Sequence, residues 1–214
     1  MQEPTRIIAI RHGETPWNVD GRIQGHLDIP LNGRGRWQAQ QLAKALAGEP
    51  PAALYSSDLK RAMQTAGEIA RHILVAPVPE PRLRERRFGR YEGRTFAEVE
   101  REAPEHAARW RRREPEYAPP DGESLLAFQK RIAEAVDHLA ARHPGQSMVL
   151  VAHGGVMDVL YRLATRQHLQ AARTWQLPNA AINRLLWNPD TGLTLIGWAD
   201  TRHLEVPARD EPHA

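Results

Sequence analysis

Two histidines stand directly after the two most apolar segments of the chain. His12 follows the run "RIIAIR", His153 follows "MVLVA", and each is followed at once by a glycine. An imidazole can act as a nucleophile near neutral pH, provided that it is uncharged. A phosphoryl group that it attacks also needs cations around it to offset the negative charge. The pattern therefore predicts transfer of an anionic group to a histidine.

Arginine and glycine residues beside these histidines could form the anion pocket. Arg11 precedes His12, and Arg61 lies in the first turn of a predicted helix. Guanidinium groups bind phosphate through paired hydrogen bonds, and they should lower the pKa of a neighbouring histidine. The amides of Gly13 and Gly154 could approach an oxyanion, because glycine has no side chain. A leaving alkoxide would also need a proton, most naturally from a carboxylic acid.

The hydrophobic pattern predicts alternating strands and helices around these residues. Strands are predicted over residues 6–11, 53–57 and 147–153, with a hairpin formed by 182–187 and 193–199. Helices are predicted over residues 34–47, 58–72, 95–113 and 125–139, with Asp58 as an N-cap of the second and a break near Pro104 in the third.

This order of elements predicts a single α/β domain, a three-layer α/β/α sandwich with a mostly parallel central sheet. In such sheets, ligands bind outside the carboxyl ends of the strands. Because His12 and His153 come from two different strands, we expect them to meet at the same edge of the sheet.

The composition argues against several classes of function. The 214 residues are 41% hydrophobic and 26% charged, include no cysteine and carry a formal charge of +3. Disulfides and cysteine zinc sites are excluded, and the remaining histidines lack metal-ligand spacing. We find no stretch of about 18 apolar residues that could span a membrane, and the first residues do not form the apolar leader that would predict export. The expected location is therefore the cytoplasm. So small a basic excess does not predict binding to nucleic acid.

Four motifs in order along the chain carry a family resemblance. They are "RHGETPWN" at 11–18, "LYSSDLKRAMQTA" at 54–66, "LRERRFGRYEG" at 83–93 and "VLVAHGG" at 149–155. Together they resemble the histidine phosphatase superfamily, which has the phosphoglycerate mutase-like fold. The resemblance implies one domain over residues 1–205, with a small cap at about 86–122 and a polar tail at 206–214.

The resemblance also implies a role for each matching residue. His12 would be the nucleophile, forming a phosphohistidine that water then hydrolyses to release inorganic phosphate, and Glu85 would be the proton donor. The implied phosphate-binding residues are Arg11, Asn18, Gln24, Arg61, His153 and Gly154. No metal or organic cofactor is implied, and the partner is a small phosphorylated metabolite. Relatives include dimers, so a homodimer is a further expectation.

Some of these assignments have simpler alternatives. Glu85 lies in "RERR", which in isolation reads as a solvated charge run. Asn18 and Gln24 could be turn residues. Glu14 and Glu92 are the other candidates for the acid, and we expect both to be structural.

Membership of the family leaves the reaction open between a phosphatase and a cofactor-dependent phosphoglycerate mutase. Phe88 stands where the mutases have a tyrosine, Phe96 falls about where they have a lysine, and the chain passes directly to "PPDGES" at 119–124. These differences favour the phosphatase. Arg111–Arg113 resemble a carboxylate-binding element of the mutases, and they could instead form a solvated helix end. A non-catalytic protein that binds a phosphorylated ligand is the third reading.

Overall fold

A six-stranded sheet forms the centre of the molecule. The computed structural model describes residues 3–205, so the polar tail predicted at 206–214 lies outside the described residues. The strands are Thr5–Arg11 (β1), Ala53–Ser56 (β2), Pro77–Pro79 (β3), Ser147–Ala152 (β4), Ile182–Asn188 (β5) and Gly192–Asp200 (β6). Their order across the sheet is β3-β2-β4-β1-β5-β6. The first four strands are parallel, whereas β5 is antiparallel to β1 and to β6.

Helices cover both faces of the sheet. They are Pro16–Val19 (α1), Gly33–Leu46 (α2), Lys60–Ile73 (α3), Phe96–Glu102 (α4), Pro104–Arg111 (α5), Leu125–Ala140 (α6) and Gly154–Thr165 (α7). Helices α2 and α3 contribute to one apolar core and helices α6 and α7 to the other. The predicted three-layer sandwich is therefore confirmed.

Successive side chains of β1 enter these two different cores. Ile8 packs with Leu42 of α2, whereas Ile7 packs with Ile132 of α6, and each of the four is buried. This follows from the alternation of side chains along a strand. A strand covered on both faces needs an apolar residue at nearly every position, which explains the unbroken run before Arg11. Each fully buried aliphatic side chain contributes about 1.5–3 kcal/mol to stability.

The two histidine-bearing strand ends are neighbours. Strands β1 and β4 pair in parallel, with Arg11 opposite Ala152. The amide of His12 continues this ladder by donating to the carbonyl oxygen of Ala152 at 2.9 Å. His12 and His153 therefore leave adjacent strands at the same edge of the sheet, as predicted.

Two predicted boundaries are wrong. Strand β4 ends at Ala152, and His153 is the N-cap of α7 rather than the last strand residue. Asp58 does not cap α3, whose N-cap is Leu59 without a side-chain hydrogen bond. The Asp58 carboxylate instead accepts hydrogen bonds of 2.7 and 2.6 Å from Arg84. A two-bond ion pair to a guanidinium outweighs a single cap bond at this position.

Helices α4 and α5 occupy the segment between the sheet strands β3 and β4. They are separated at Ala103, directly before Pro104, which confirms the predicted interruption. A proline removes an amide donor and disfavours the helical conformation of the residue before it. Among residues 3–205, no helix is both long and apolar enough to cross a membrane.

Candidate active site

His12 is held as a neutral imidazole with one nitrogen free. The residue is 3% exposed, and its Nδ1 lies 2.7 Å from the carbonyl oxygen of Gly13. A carbonyl can only accept, so Nδ1 carries the proton and Nε2 keeps its lone pair. Burial, followed by the charges of Arg61 and Arg11, holds the pKa of His12 well below its usual 6.5. The sequence predicted a lowered pKa for His12, and this direction is confirmed, although burial lowers the pKa more than the arginines do.

His153 is the second imidazole of the site, and one of its nitrogens contacts a serine hydroxyl. Its Nε2 lies 2.8 Å from Oγ of Ser57, and its Nδ1 has no hydrogen-bond partner. When the hydroxyl donates to Nε2, the proton of the neutral ring is on Nδ1. Burial, followed by Arg61 and His12, holds the pKa of His153 well below 6.5. The rings of the two histidines lie 5.2 Å apart.

The two predicted arginines reach the site from different elements. Arg61, on α3, is 1% exposed, and its two terminal nitrogens donate to the carbonyl oxygens of Leu27 and Gly25, both at 2.8 Å. Burial lowers the pKa of Arg61 to about 10, so it remains a cation at neutral pH. Arg11 donates to the carbonyl oxygen of Leu177. Burial also lowers the pKa of Arg11.

Most of the predicted site residues surround one small cavity. It has a volume of about 150 Å³ and is lined by Arg11, His12, Asn18, Arg22, Gln24, Gly25, Arg61, Glu85 and Phe88. We refer to it as the phosphoryl cavity, after the group that its predicted residues are expected to bind. Two predicted members do not line it. The ring of His153 contacts that of His12 edge to face, with centroids 5.2 Å apart, and Gly154 lines a second cavity that shares Glu85 with the first.

Unpartnered polar atoms are concentrated in this region. Within residues 3–205, six buried side-chain nitrogen or oxygen atoms lack a hydrogen-bond partner. Four of the six belong to predicted phosphate-binding residues, namely Arg11 Nε, Gln24 Oε1, Arg61 Nε and His153 Nδ1. A buried polar group without a partner costs about 1–3 kcal/mol. Three of these four residues, Arg11, Gln24 and Arg61, line the phosphoryl cavity, and unpartnered polar groups at one cavity indicate a polar ligand there.

Asn18 presents its amide NH₂ group to the cavity. Its Oδ1 accepts hydrogen bonds from the Thr15 amide at 3.0 Å and from Nδ2 of Asn179 at 3.2 Å. With the oxygen occupied, the NH₂ group is the free end of the side chain. Asn179 also donates to the carbonyl oxygen of His12 at 2.9 Å. Sequence analysis missed Asn179, because it lies 167 residues away from His12 and has no motif around it.

Glu85 stands between the two cavities and is fixed by backbone amides. Its carboxylate accepts from the amide of Arg86 at 2.8 Å and from that of Gly155 at 2.9 Å. A Cβ at Gly155 would lie 2.2 Å from Oε1 of Glu85, so this glycine is required for the approach. The Glu85 carbonyl oxygen is bound by Nε2 of His26 at 2.8 Å and by Arg131 at 3.3 Å. Both of these positioning residues were missed by sequence analysis.

The other two candidate acids have structural contacts. Glu92 accepts hydrogen bonds from the amides of Phe88 at 2.9 Å and His26 at 3.1 Å. Glu14 accepts from Nδ2 of Asn32 at 2.9 Å. Neither lines the phosphoryl cavity. Both therefore hold loops in place, as predicted.

Gly13 does not offer its amide to a ligand, contrary to the prediction. The amide donates to Oγ1 of Thr65 at 3.1 Å. A Cβ at this position would lie 2.5 Å from the carbonyl oxygen of Gly35. The glycine is needed because α2 begins against this turn.

The three arginines at the end of α5, Arg111–Arg113, do not form a common binding site. Arg111 pairs with Glu100 at 2.9 Å and Arg112 with Glu114 at 2.7 Å, and both arginines are exposed. Only Arg113 turns inward, where it lines the second cavity. Trp110 lines the same cavity, although no tryptophan was assigned to a site from the sequence.

No group of three or more histidine and carboxylate side chains within residues 3–205 is arranged to hold a metal ion. The charge around the cavity is supplied by guanidinium groups instead. The site therefore combines a neutral imidazole, buried guanidinium groups and the side-chain carboxyl group of Glu85 at the boundary of two cavities.

Comparisons with known proteins agree with this geometry. A model of the histidine phosphatase superfamily (branch 1) matches residues 7–201. Phosphoglycerate mutase-like protein 4 of Arabidopsis thaliana is 38% identical over 202 residues, which are 93% of this chain and 86% of that protein. The metal-independent phosphoserine phosphatase of the same plant is 37% identical over 205 residues, 94% of this chain and 84% of that protein. The solved structure of Bacillus stearothermophilus YhfR superposes with a TM-score of 0.87 at 31% identity, covering 94% of this chain and all of that one. The chain belongs to the histidine phosphatase superfamily.

Proposed function

We propose that the protein hydrolyses phosphomonoesters of small metabolites through a phosphohistidine at His12. The observation that supports this most directly is the hydrogen bond of 2.7 Å from Nδ1 of His12 to the Gly13 carbonyl. It leaves Nε2 as a free lone pair beside a cavity lined by Arg11 and Arg61. A neutral imidazole between two guanidinium groups suits attack on a dianionic phosphoryl group.

The first step transfers the phosphoryl group to the enzyme. Nε2 of His12 attacks phosphorus, the N–P bond forms, and the bond from phosphorus to the ester oxygen breaks. Glu85 gives its proton to that oxygen, which departs as an alcohol. The positive charges of Arg11 and Arg61 and the N–H group of His153 offset the charge on the phosphoryl oxygens.

The second step returns the enzyme to its starting state. Glu85, now ionised, takes a proton from water while the water oxygen attacks phosphorus. The N–P bond breaks, inorganic phosphate leaves, and His12 is again neutral. No metal or organic cofactor takes part in either step.

The aromatic environment of the second cavity favours hydrolysis over the mutase reaction. Phe88 stacks on Trp110 with ring centroids 4.9 Å apart, and Phe96 meets Trp110 edge to face at 5.6 Å. The two positions at which a mutase would hold its substrate with polar groups are thus part of an apolar cluster. Each charge-assisted contact that is lost in this way would cost about 1.5–3 kcal/mol of binding.

Three further features belong to the same proposal. Residues 86–122 act as a cap, since Phe88, Trp110 and Arg113 from this segment line the second cavity. The cytoplasmic location and the homodimer stay predictions from the sequence.

The proposal is tested by trapping the intermediate. Wild-type protein is quenched during turnover of a ³²P-labelled phosphomonoester, and acid-labile, base-stable label is expected on His12. His12→Asn should carry no label, whereas His72→Asn, at an exposed histidine of α3, should be labelled like the wild type. Rapid turnover without label, or label on another side chain, would contradict the mechanism.

Two incubations separate the alternative functions. With p-nitrophenyl phosphate, a phosphatase releases p-nitrophenolate, and a protein that only binds phosphorylated ligands does not. With 3-phosphoglycerate, a phosphatase releases inorganic phosphate, whereas a mutase forms 2-phosphoglycerate.

A further inference from the structure

The cavity on the far side of Glu85 is placed to receive the leaving group of the substrate. It has a volume of about 200 Å³ and shares Glu85 and Phe88 with the phosphoryl cavity. If Glu85 protonates the ester oxygen, the carbon skeleton attached to that oxygen has to extend into this second cavity. We refer to it as the leaving-group cavity, and its role depends on the proposed function.

One side of the leaving-group cavity is apolar and the other is charged. The apolar side chains are Phe88, Trp110, Leu125, Phe128, Val159 and Leu169. The charged side chains besides Glu85 are Arg86, Arg113, Asp158 and Arg173. Such a lining accepts a short carbon chain against its apolar side and a polar group against its charged side.

Two of the three arginines already have partners. Arg86 donates to the carbonyl oxygens of Glu123 at 2.8 Å and Tyr117 at 3.0 Å. Arg113 donates to Oδ2 of Asp158 at 2.7 Å and to the carbonyl oxygen of Leu169 at 2.6 Å. These guanidinium groups mainly hold the walls of the cavity together.

Arg173 is different, because it forms no hydrogen bond or ion pair with any residue in 3–205. Its side chain is exposed at the rim of the cavity. Its charge nevertheless acts on the catalytic site: burial is the main cause that lowers the pKa of Arg11, and the positive charge of Arg173 lowers it further. The rim therefore carries a positive charge that forms no ion pair with a carboxylate among residues 3–205.

The backbone that carries Arg173 is fixed on both sides. The buried Arg162 donates to the carbonyl oxygens of His168 and of Ala171, the latter at 2.9 Å. On the other side, Trp175 is 8% exposed and stacks on Tyr161 with centroids 4.0 Å apart. An exposed arginine between two such anchors keeps its place at the cavity rim even though its own side chain is free to move.

From these contacts we propose that Arg173 selects phosphomonoesters whose leaving group carries a carboxylate. A single guanidinium supplies one charge and a pair of parallel N–H donors, which matches one carboxylate. The neighbouring arginines are less available for this contact, since Arg86 and Arg113 each use two guanidinium nitrogens in hydrogen bonds and Arg111 and Arg112 form exposed ion pairs. The proposal thus assigns carboxylate binding to the loop after α7 rather than to Arg111–Arg113, which resemble a carboxylate-binding element of the mutases.

The test compares two substrates that differ only in the carboxylate that Arg173 is proposed to bind. 3-Phosphoglycerate has a carboxylate where glycerol 3-phosphate has a CH₂OH group. We expect kcat/KM of the wild type to favour 3-phosphoglycerate by at least ~10-fold, and Arg173→Ala to reduce this ratio by about 10- to 100-fold, mainly through KM. Arg173→Lys should retain part of the preference, because it keeps the charge and loses the paired donors.

The matched control is Arg112→Ala, which removes an exposed arginine that does not line the cavity. Its substrate ratio should equal that of the wild type. The inference would be overturned if Arg173→Ala left the ratio of kcat/KM on the two substrates unchanged. It would also be overturned if the wild type did not prefer 3-phosphoglycerate. If Arg173→Ala lost more kcat/KM on 1,3-propanediol bisphosphate than on 3-phosphoglycerate, Arg173 would bind a second phosphoryl group. That result would overturn the proposal that it binds a carboxylate. Turnover of glycerol 3-phosphate without selectivity refutes the inference alone, whereas no turnover of either ester or of p-nitrophenyl phosphate refutes the proposed function as well.

Discussion

The imidazole rings of His12 and His153 meet edge to face, with centroids 5.2 Å apart and planes at 60°. Both rings are buried, and for each of them the charge of Arg61 is the next cause after burial that lowers the pKa. Two imidazolium ions at this distance from each other and from a guanidinium would repel one another strongly. The site therefore keeps both rings neutral, as the proposed mechanism requires of its nucleophile and of its N–H donor.

The first prediction concerns stability at mildly acidic pH. In the unfolded chain both histidines gain a proton as the pH falls through about 6.5, whereas in the folded protein their lowered pKa values keep them neutral. The unfolded state then binds more protons, so stability is fully present above pH 6.5 and decreases below it. Each histidine contributes a slope of up to about 1.4 kcal/mol per pH unit. Urea unfolding at pH 7.5, 6.5 and 5.5 measures the effect.

His12→Asn and His153→Asn are the variants that identify the source. Each should reduce the slope between pH 6.5 and 5.5 by up to about 1.4 kcal/mol per unit. Part of the slope should persist in both, because burial also lowers the pKa of the half-buried His203. Asp58 does not contribute in this window, since its pKa lies below 3.8. Identical slopes in the wild type and both variants would show that the rings do not stay neutral.

The second prediction concerns Glu85 as the proton donor. Glu85→Gln should lower kcat/KM by about 10²- to 10⁴-fold on an alkyl phosphate, whose leaving oxygen needs a proton. The loss should be far smaller on p-nitrophenyl phosphate, since p-nitrophenolate leaves without protonation. Glu92→Gln serves as the comparison, because that carboxylate accepts hydrogen bonds from the amides of Phe88 and His26 and does not line either cavity. The substitution should therefore affect both substrates alike. An equal loss on both substrates for Glu85→Gln would exclude it as the donor.

The third prediction concerns the hydroxyl that fixes His153. Ser57→Ala removes the 2.8 Å contact to Nε2 and frees the ring to change tautomer. We expect kcat to fall by roughly 10-fold, together with a loss of about 1–3 kcal/mol in the free energy of unfolding for a broken buried hydrogen bond. Steady-state kinetics and urea unfolding measure the two quantities.

Ser56→Ala is a close control for this prediction. Ser56 is the preceding residue, it is equally buried, and its hydroxyl donates to the Ser57 carbonyl oxygen at 2.9 Å rather than to a histidine. It should lose similar stability while keeping its rate. Equal losses of rate in both variants would mean that the serine supports the fold and does not orient His153.

Much of the fold could be predicted from the sequence because its signals are local. The doubly covered strands β1 and β4 are apolar at nearly every position, and α6 has one apolar face. The boundary at Asp58 could not be predicted, since its true partner Arg84 is 26 residues away and is reached only in the folded chain. A long-range ion pair therefore replaced the local cap that the sequence pattern favoured.

The predictability of the site has the same limit. Residues inside motifs, such as His12, Arg61 and Glu85, were predicted to share one site, and they line one cavity. Asn179 and Arg131 were missed, because they act by holding backbone carbonyls from distant elements and no spacing reveals that. Side chains that touch a ligand need a specific chemical type in a recognisable context, whereas those that support them need only reach the right atom.

The last prediction concerns Gly13, whose role differs from the one that its position beside His12 suggests. A Cβ at Gly13 would lie 2.5 Å from the carbonyl oxygen of Gly35 and 3.0 Å from two further backbone atoms of that residue. Backbone atoms cannot rotate away as a side chain can, so the start of α2 or the His12 turn has to shift. Overpacking of this kind typically costs about 1–3 kcal/mol. Gly13→Ala should therefore lose this amount of stability, and kcat should fall with it because His12 Nδ1 is bound to the Gly13 carbonyl.

Gly67→Ala makes the same chemical change where space is available. Gly67 lies within α3, and no atom stands within 4 Å of a Cβ built there. Replacing glycine by alanine inside a helix stabilises it by up to about 1 kcal/mol. Urea unfolding should therefore move the two variants in opposite directions from the wild type. If Gly13→Ala were as stable and as active as Gly67→Ala, the close packing of α2 against the turn at His12 and Gly13 would not explain why a glycine follows His12.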